Sequence, residues 1–329
     1  MTWNRILSTK GSWFVTLAVI ATIGCSDAAP TASRVNFGGE LAPSAGRTGG
    51  PRPTAEIAFL ADVGGSGGTR VALINADGSN QVTVSNSSGG YPPSWSGTGA
   101  GTSQNPWHLA YNPSSSVITT VNVDTSGGTV NLKSSRSFNY AAYTLDPRWM
   151  PGKDSIAYGT ETNLMIVGAT GGTPAVLYQP ADPTKHVIYS SWKPDGSAIA
   201  FVEYSTTGDA AMAIRILNRQ SGVVTTAVAP GSVGDIYQLD WARTRDEIAF
   251  TQHAAGQPNR YTWVVSLTPD VDGNLQASGP PRTLTTTAGW PSWSPDDSKL
   301  VIAGLHIVDY ATGVAGPLFS SGGATEWRR

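Results

Sequence analysis

The sequence contains one cysteine, Cys25, among 329 residues, so no disulfide can form within the chain. Stability must therefore come from a hydrophobic core, and 40% of the residues are hydrophobic. Charged residues make up only 13% of the chain, and the formal net charge is −2 with no basic stripe. This charge balance argues against a nucleic-acid partner.

The motifs of several enzyme classes are missing. There is no Gly-x-Ser-x-Gly nucleophile elbow, and GGSGG at 64–68 is a low-complexity loop without a strand-to-helix context. Glycine-rich phosphate-binding patterns between a strand and a helix are absent as well. We therefore predict no catalytic residue and no cofactor.

No hydrophobic run is long enough to cross a membrane as a helix. The uncharged run at 13–24 follows Arg5 and Lys10 and has the layout of a secretory signal. It ends in Thr-Ile-Gly before Cys25, which resembles the lipobox of bacterial lipoproteins. The resemblance implies removal of residues 1–24 and lipidation of Cys25. Ordinary signal cleavage a few residues later, with loss of the cysteine, is the alternative.

Both interpretations predict an exported protein of the bacterial cell envelope, on its periplasmic or surface side. If Cys25 is lipidated, the anchor is the only contact with a membrane, and Ser26 after it favours the outer membrane. Residues 25–54 are rich in Ala, Pro, Ser and Gly, which predicts a flexible tether with a reach of ~30 Å. Residues 55–329 remain for a folded domain.

Tryptophan recurs along that domain. The first five repeats are 54, 43, 49 and 52 residues apart, a spacing typical of a propeller or another repeat array. The repeated residues, with one more near the end of the sequence, are Trp95, Trp149, Trp192, Trp241, Trp293 and Trp327. In four repeats an aliphatic residue follows the tryptophan by seven positions, and these residues are Ile156, Ile199, Ile248 and Leu300.

Each repeat predicts four strands. One strand contains the tryptophan, and a second contains a segment of the Ile-Ala-Phe type. Two more flank a turn in which Gly accompanies Asp, Asn, Ser or Thr, such as RQSG at 219–222. Four antiparallel strands per repeat form a propeller blade. We therefore predict an all-β, six-bladed β-propeller with four-stranded antiparallel blades.

The two ends of the domain predict how the ring closes. The Ile-Ala-Phe segment at 57–59 has no tryptophan seven residues before it, and Trp327 has no partner strands after it. We expect the strand around Trp327 to become the inner strand of the blade built from residues 55–84. This closure removes the open sheet edges that would otherwise favour aggregation.

A family resemblance follows from the turns after two tryptophans, Trp192-Lys-Pro-Asp-Gly and Trp293-Ser-Pro-Asp-Asp. With the Ile-Ala-Phe segments they resemble the WD40-like PD40 repeat of the TolB-type β-propeller, over about residues 55–329. TolB also has a further N-terminal domain, for which residues 25–54 leave no room. The resemblance therefore implies the propeller fold, and it does not imply the role of TolB.

The repeated tryptophans are predicted to be structural, each filling the wedge between neighbouring sheets, with a ligand-stacking row as the alternative. The histidines occupy different positions in their repeats, so a metal cluster is not expected; they are His108, His186, His253 and His306. His186 precedes an inner strand and is the best single candidate for a metal ligand.

Loops that lead into the inner strands of a propeller gather at one mouth of its channel. The candidate binding residues in these loops are Tyr91, Tyr143, His186, Tyr189, Tyr237 and Trp290. Aromatic residues at such a mouth suit recognition of protein or carbohydrate, although packing beneath the rim would also explain them.

We predict a monomeric, non-catalytic envelope scaffold that binds another envelope protein, without metal or cofactor. Two alternatives stay open: a carbohydrate-binding module, and a metal-assisted polysaccharide lyase or hydrolase at the channel mouth.

Overall fold

The computed structural model describes residues 53–62, 68–85, 88, 90–140, 143–205, 212–254 and 259–329. The predicted leader, Cys25 and almost all of the predicted tether lie outside these residues. Within them the regular structure is β, apart from one 3-10 turn at Ala303–Leu305. No helix in this part of the chain is long and apolar enough to cross a membrane.

The strands form six antiparallel sheets, which are the predicted blades. In chain order they are β1 (Ile57–Asp62), β2 (Thr69–Ile74), β3 (Val82–Ser85), β4 (Ser94–Trp95), β5 (Trp107–Ser114), β6 (Val117–Asp124), β7 (Asn131–Asn139), β8 (Leu145–Trp149), β9 (Ser155–Gly159), β10 (Leu164–Gly168), β11 (Ala175–Tyr178), β12 (Lys185–Trp192), β13 (Ala198–Ser205), β14 (Met212–Asn218), β15 (Val224–Val228), β16 (Asp235–Trp241), β17 (Glu247–His253), β18 (Tyr261–Pro269), β19 (Leu275–Ala277), β20 (Arg282–Thr285), β21 (Ser292–Trp293), β22 (Lys299–Ile302), β23 (His306–Asp309) and β24 (Gly322–Trp327).

Blade 1 has the strand order β24-β1-β2-β3, and the last strand of the chain therefore pairs with the first. Ile57 lies opposite Trp327, and Ala58 lies opposite Glu326. Blades 2, 3, 4, 5 and 6 follow in chain order and begin at β4, β8, β12, β16 and β21. The predicted six-bladed ring and its closure by the C-terminal strand are confirmed.

Two blades depart from the four-strand pattern at their outer edges. In blade 5, β18 pairs with β19 along one half and with β20 along the other. Pro280 and Pro281 separate those two short strands, and neither can donate to a ladder. In blade 6 the fourth strand is reduced to a bridge between Val308 and Ala315, two residues before Pro317.

The repeated tryptophans lie between blades. All six are buried, with at most 7% of the surface of any one exposed. The indole Nε1 of Trp192 donates to the carbonyl of Arg148 at 3.2 Å, and that of Trp293 donates to the carbonyl of Asp240 at 3.1 Å. In both cases the acceptor belongs to the inner strand of the preceding blade. These rings thus join neighbouring sheets through packing and a directed hydrogen bond.

Residues that directly precede the tryptophans also link each blade to the next. Ser94, Ser191 and Ser292 accept hydrogen bonds of 2.8–3.0 Å from the backbone N–H groups of Trp149, Trp241 and Trp327. The carboxylate of Asp240 accepts the equivalent bond from Trp293 at 2.7 Å. Each of these bonds satisfies a buried backbone donor with a side chain of the preceding blade.

Charged side chains are buried where the inner strands meet. The Arg148 guanidinium lies 2.7 Å from Glu326 and 3.0 Å from Asp146. Arg243 lies 2.9 Å from Asp240. The Arg148–Glu326 pair joins blades 3 and 1, and the Arg243–Asp240 pair lies within blade 5, where both charges act on Glu326. Pairing of this kind is what allows charges to remain in a low-dielectric interior.

Glu326 and Asp240, the carboxyl groups paired with Arg148 and Arg243, differ in pKa. Burial raises the pKa of Glu326 to about 7, and the attraction of Arg148 opposes that rise without cancelling it. Burial acts on Asp240 in the same direction, but the attraction of Arg243 and Arg329 and the hydrogen bonds it accepts together hold the pKa of Asp240 below its usual range. Burial also raises the pKa of Asp146, and Glu326 titrates near neutral pH.

Candidate binding site at the channel mouth

The inner strands share an irregularity three residues before the tryptophan. In five blades the residue there has a positive φ, between 30° and 64°, and these residues are Asp146, Tyr189, Gln238, Trp290 and Ala324. In blade 2 the same position is Pro92, whose ring excludes a positive φ. The ladder skips Tyr189 in blade 4 and Gln238 in blade 5, as expected for a bulge that redirects a side chain.

Four of the predicted mouth residues come together in one row, which we call the mouth row: Tyr91, Tyr189, Tyr237 and Trp290. The ring centroids of consecutive members are 6.2, 6.0 and 5.9 Å apart. Each member lies three or four positions before the tryptophan of its blade. The row thus runs from blade 2 past blade 3 to blades 4, 5 and 6.

Blade 3 contributes no ring because its equivalent residue is Asp146. The Asp146 carboxylate is buried and accepts the backbone N–H of Ser190 at 2.6 Å. This short side chain leaves room for Tyr91 to reach Tyr189 across the top of the blade. The buried charge network therefore begins directly below the aromatic side chains.

Arg260 lies against the same row. Its guanidinium carbon is 5.4 Å from the ring centroid of Tyr237 and 5.8 Å from that of Trp290. Both distances are within the range of a cation–π interaction. The residue directly precedes β18, and nothing in the repeat pattern marks it, so it could not be predicted from the sequence.

The tyrosines of the row keep their phenol protons at all ordinary pH values. Burial raises the pKa of Tyr91, Tyr189 and Tyr237 above the usual value for tyrosine. The hydroxyl of Tyr237 lies 3.4 Å from a carboxylate oxygen of Asp235. The mouth row consequently offers apolar ring faces together with neutral hydroxyl groups.

Two predicted mouth residues lie outside the row. His186 packs against Tyr204, with ring centroids 5.3 Å apart and its Nδ1 3.4 Å from the Tyr204 hydroxyl. Tyr143 is 52% exposed and makes no ring contact within the described part of the chain. Both nevertheless lie at the same end of the inner strands as the row.

The histidines do not meet. His108 contacts Asn122, and His306 contacts the carbonyl of Gly316, through Nδ1 at 2.7 and 2.8 Å. His253 lies 3.8 Å from Asp235 on the next strand. Among the residues that the structure describes, no group of three or more His, Cys, Asp or Glu side chains could hold a metal ion.

Two clefts lie away from the mouth row. One, of about 650 Å³, is lined by Trp107, Phe319 and Arg328, among others. The other, of about 230 Å³, lies between blades 4 and 5 and includes Asn218 and Asn274 in its lining. No predicted mouth residue lines either cleft.

The sequence matches no protein-family profile and no curated protein. Among solved structures, the chain is similar to TolB from Acinetobacter baumannii, with a TM-score of 0.55 and 17% identity over 84% of this chain and 68% of that one. It is also similar to a TolB candidate from Agrobacterium tumefaciens, with a TM-score of 0.55 and 19% identity over 79% and 91% of the two chains. The protein is a TolB-like six-bladed β-propeller. At these identities the likeness establishes the fold.

Other solved structures match this chain at lower TM-scores. An oligogalacturonate lyase from Vibrio parahaemolyticus covers 75% of this chain at 14% identity, with 70% of its own length matched and a TM-score of 0.41. A likeness at this level carries no argument about activity. The resemblance that the PD40-type turns indicated is thus confirmed at the level of the fold.

Proposed function

We propose that the protein is a non-catalytic scaffold of the bacterial cell envelope that binds a segment of another envelope protein across its mouth row. The observation that carries the proposal is the continuous contact of four aromatic rings from four different blades. Large, partly exposed aromatic side chains are the residues that most often dominate protein-binding surfaces.

The spacing of the rings favours an extended peptide as the ligand. An extended chain rises 3.2–3.4 Å per residue, so alternate side chains on one face are about 6.6 Å apart. Consecutive rings of the mouth row are 5.9–6.2 Å apart. Alternate side chains of a bound segment can therefore each rest on or between neighbouring rings.

The envelope location rests on the leader-like run before Cys25, which favours export. Lipidation of Cys25 would hold the propeller to a membrane through residues 25–54. The propeller itself would then act in solution beside the membrane.

Carbohydrate binding is the second candidate because rows of aromatic rings also suit the faces of sugars. A metal-assisted lyase or hydrolase has less support, since each histidine has a different local partner. Metal content and a glycan array on the purified protein separate these alternatives from protein binding.

The direct experiment is a crosslinking pull-down from envelope fractions. It compares the wild type with a variant that carries Tyr237→Ala and Trp290→Ala, and circular dichroism verifies that the variant is folded. We expect one envelope protein to be captured by the wild type and lost with the variant. Equal capture by both would show that binding does not use the mouth row.

A further inference from the structure

One cation at the mouth has no ion-pair or hydrogen-bond partner among the residues that the structure describes. Arg260 makes no ion pair and donates no hydrogen bond to any residue in the described part of the chain. Its Nε is shielded from solvent and lacks a hydrogen-bond acceptor. Burying a polar group without an acceptor costs free energy, so the arrangement is incomplete in the unbound protein.

Other arginines of the propeller pair with an acceptor in the protein. Arg148, Arg215 and Arg243 each pair with a carboxylate. Arg219 also stacks on a tryptophan, but it donates to the carbonyl of Gly196 at 3.2 Å. Arg260 combines the stacking with no acceptor, which distinguishes it from these side chains.

The carboxylate that contacts Tyr237 does not supply the partner of Arg260. Asp235 interacts with the Tyr237 hydroxyl at 3.4 Å and with His253 Nδ1 at 3.8 Å. It forms no ion pair with Arg260 within 4.0 Å, although both residues contact the Tyr237 side chain. Arg260 is held in place by two aromatic rings instead, and its fork of N–H donors remains available to a ligand.

We propose that Arg260 pairs with a carboxylate of the bound ligand, so that the segment recognised at the mouth row is an extended, acidic peptide. This inference rests on the proposed function and names its ligand chemistry. The rings of Tyr237 and Trp290 hold the guanidinium in place and exclude water from one side. An Asp or Glu next to the apolar anchors of the segment then completes its hydrogen bonds.

The test is selection of random 12-residue peptides, displayed on phage, against the purified full chain. Peptides are retained only if they fail to bind the variant with Tyr237→Ala and Trp290→Ala. Representative peptides are then synthesised in two forms, one with the acidic residue and one with Asn or Gln in place of that Asp or Glu. Their affinities are measured for wild type, Arg260→Gln and Arg260→Lys, with Arg136→Gln on the exposed β7 edge as the matched charge control.

We expect the retained peptides to be enriched in Asp or Glu. Arg260→Gln should reduce the affinity for the acidic peptide about tenfold or more, which is the range expected for loss of a charge-assisted hydrogen bond. It should leave the affinity for the amide peptide unchanged. Arg260→Lys should reduce the affinity for the acidic peptide less, because the positive charge stays although the planar guanidinium is lost. Arg136→Gln should have no effect on either peptide.

Three outcomes would overturn the inference, and they separate it from the proposed function. Retained peptides without acidic enrichment, or with equal affinity for Arg260→Gln, would refute the role of Arg260 and leave the mouth row as the binding site. Enrichment in Lys or Arg would show that the rings bind a ligand cation in place of Arg260. Failure to retain any peptide that requires the rings would refute both proposals.

Discussion

Arg148 on β8 and Glu326 on β24 are 178 positions apart in the sequence, yet Nη1 of the arginine lies 2.7 Å from Oε2 of the glutamate. Both side chains are buried. The pair joins the strand that closes the ring to the inner strand of blade 3. It therefore links ring closure to the charge network beneath the mouth row.

Replacement of Arg148 should destabilise the propeller strongly. Arg148→Met leaves the buried carboxyl groups of Glu326 and Asp146 without a cation, and loss of one member of a buried pair typically costs about 3–5 kcal/mol. Urea denaturation monitored by tryptophan fluorescence measures the loss. Lys193→Met is the matched control, because Lys193 pairs with Asp195, which is 54% exposed, and it should cost about 1 kcal/mol or less. Equal losses for the two variants would contradict this ranking.

Glu326 should make the stability of the folded protein fall as the pH rises towards neutral. Its pKa is about 7 in the folded protein, against 4.5 for an ordinary glutamate. Between these values the folded state holds a proton that the unfolded state has released, so stability from this group falls as pH rises from about 4.5 to 7. Glu326→Gln cannot titrate, and its unfolding free energy should fall less across this window than that of the wild type. Denaturant titrations at several pH values test this, and parallel pH profiles would refute it.

Closure of the ring by β24 predicts that the end of the chain stabilises every blade. Deletion of residues 323–329 removes the ladder with β1, the Trp327 ring and Glu326 together. A milder change, Trp327→Ala, should cost about 3–5 kcal/mol, as for other buried large aromatic residues. Leu318→Ala at a 58% exposed site is the control and should change stability by less than about 1 kcal/mol. An unchanged melting temperature after the deletion would rule out the closure.

Lipidation of Cys25 makes a prediction that does not depend on the propeller. Cys25→Ser should release the protein from membranes and abolish labelling by fatty acid, while the thermal stability of the folded domain stays the same. Fractionation of cells and metabolic labelling provide the measurement. A variant that remains in the membrane fraction would show that another feature anchors the protein.

The sequence predicts the blades well because their signals are local and repeated. The Trp-to-aliphatic spacing, present in four repeats, and the Gly-containing turns each specify one hairpin, and their copies reinforce one another. The closure through Trp327 follows from the sequence pattern, because the blade of residues 55–84 has no inner strand before it and the strand around Trp327 has no partner strands after it. Local disruptions such as Pro280-Pro281 in blade 5 shorten outer strands without changing that count.

The candidate site is only partly predictable. Position in the repeat identifies Tyr91, Tyr189, Tyr237 and Trp290 as mouth residues, but their contacts across blades depend on the positive φ angles of the inner strands. Arg260 could not be found, because it precedes a third strand and reaches the row only through the packing of blade 5 against blade 6. The pairing of Arg148 with Glu326 likewise joins blades that are not adjacent in sequence.

Site-specific photocrosslinking in cells tests the central claim most directly. In one variant a photoreactive amino acid replaces Tyr143, which is exposed at the mouth. In the control variant it replaces Val271, which is fully exposed on the turn between β18 and β19, at the end of blade 5 away from the mouth. The account predicts a crosslinked envelope protein from position 143, none from position 271, and loss of the first product with Tyr237→Ala and Trp290→Ala. A partner captured only from position 271, or from position 143 regardless of the mouth row, would contradict it.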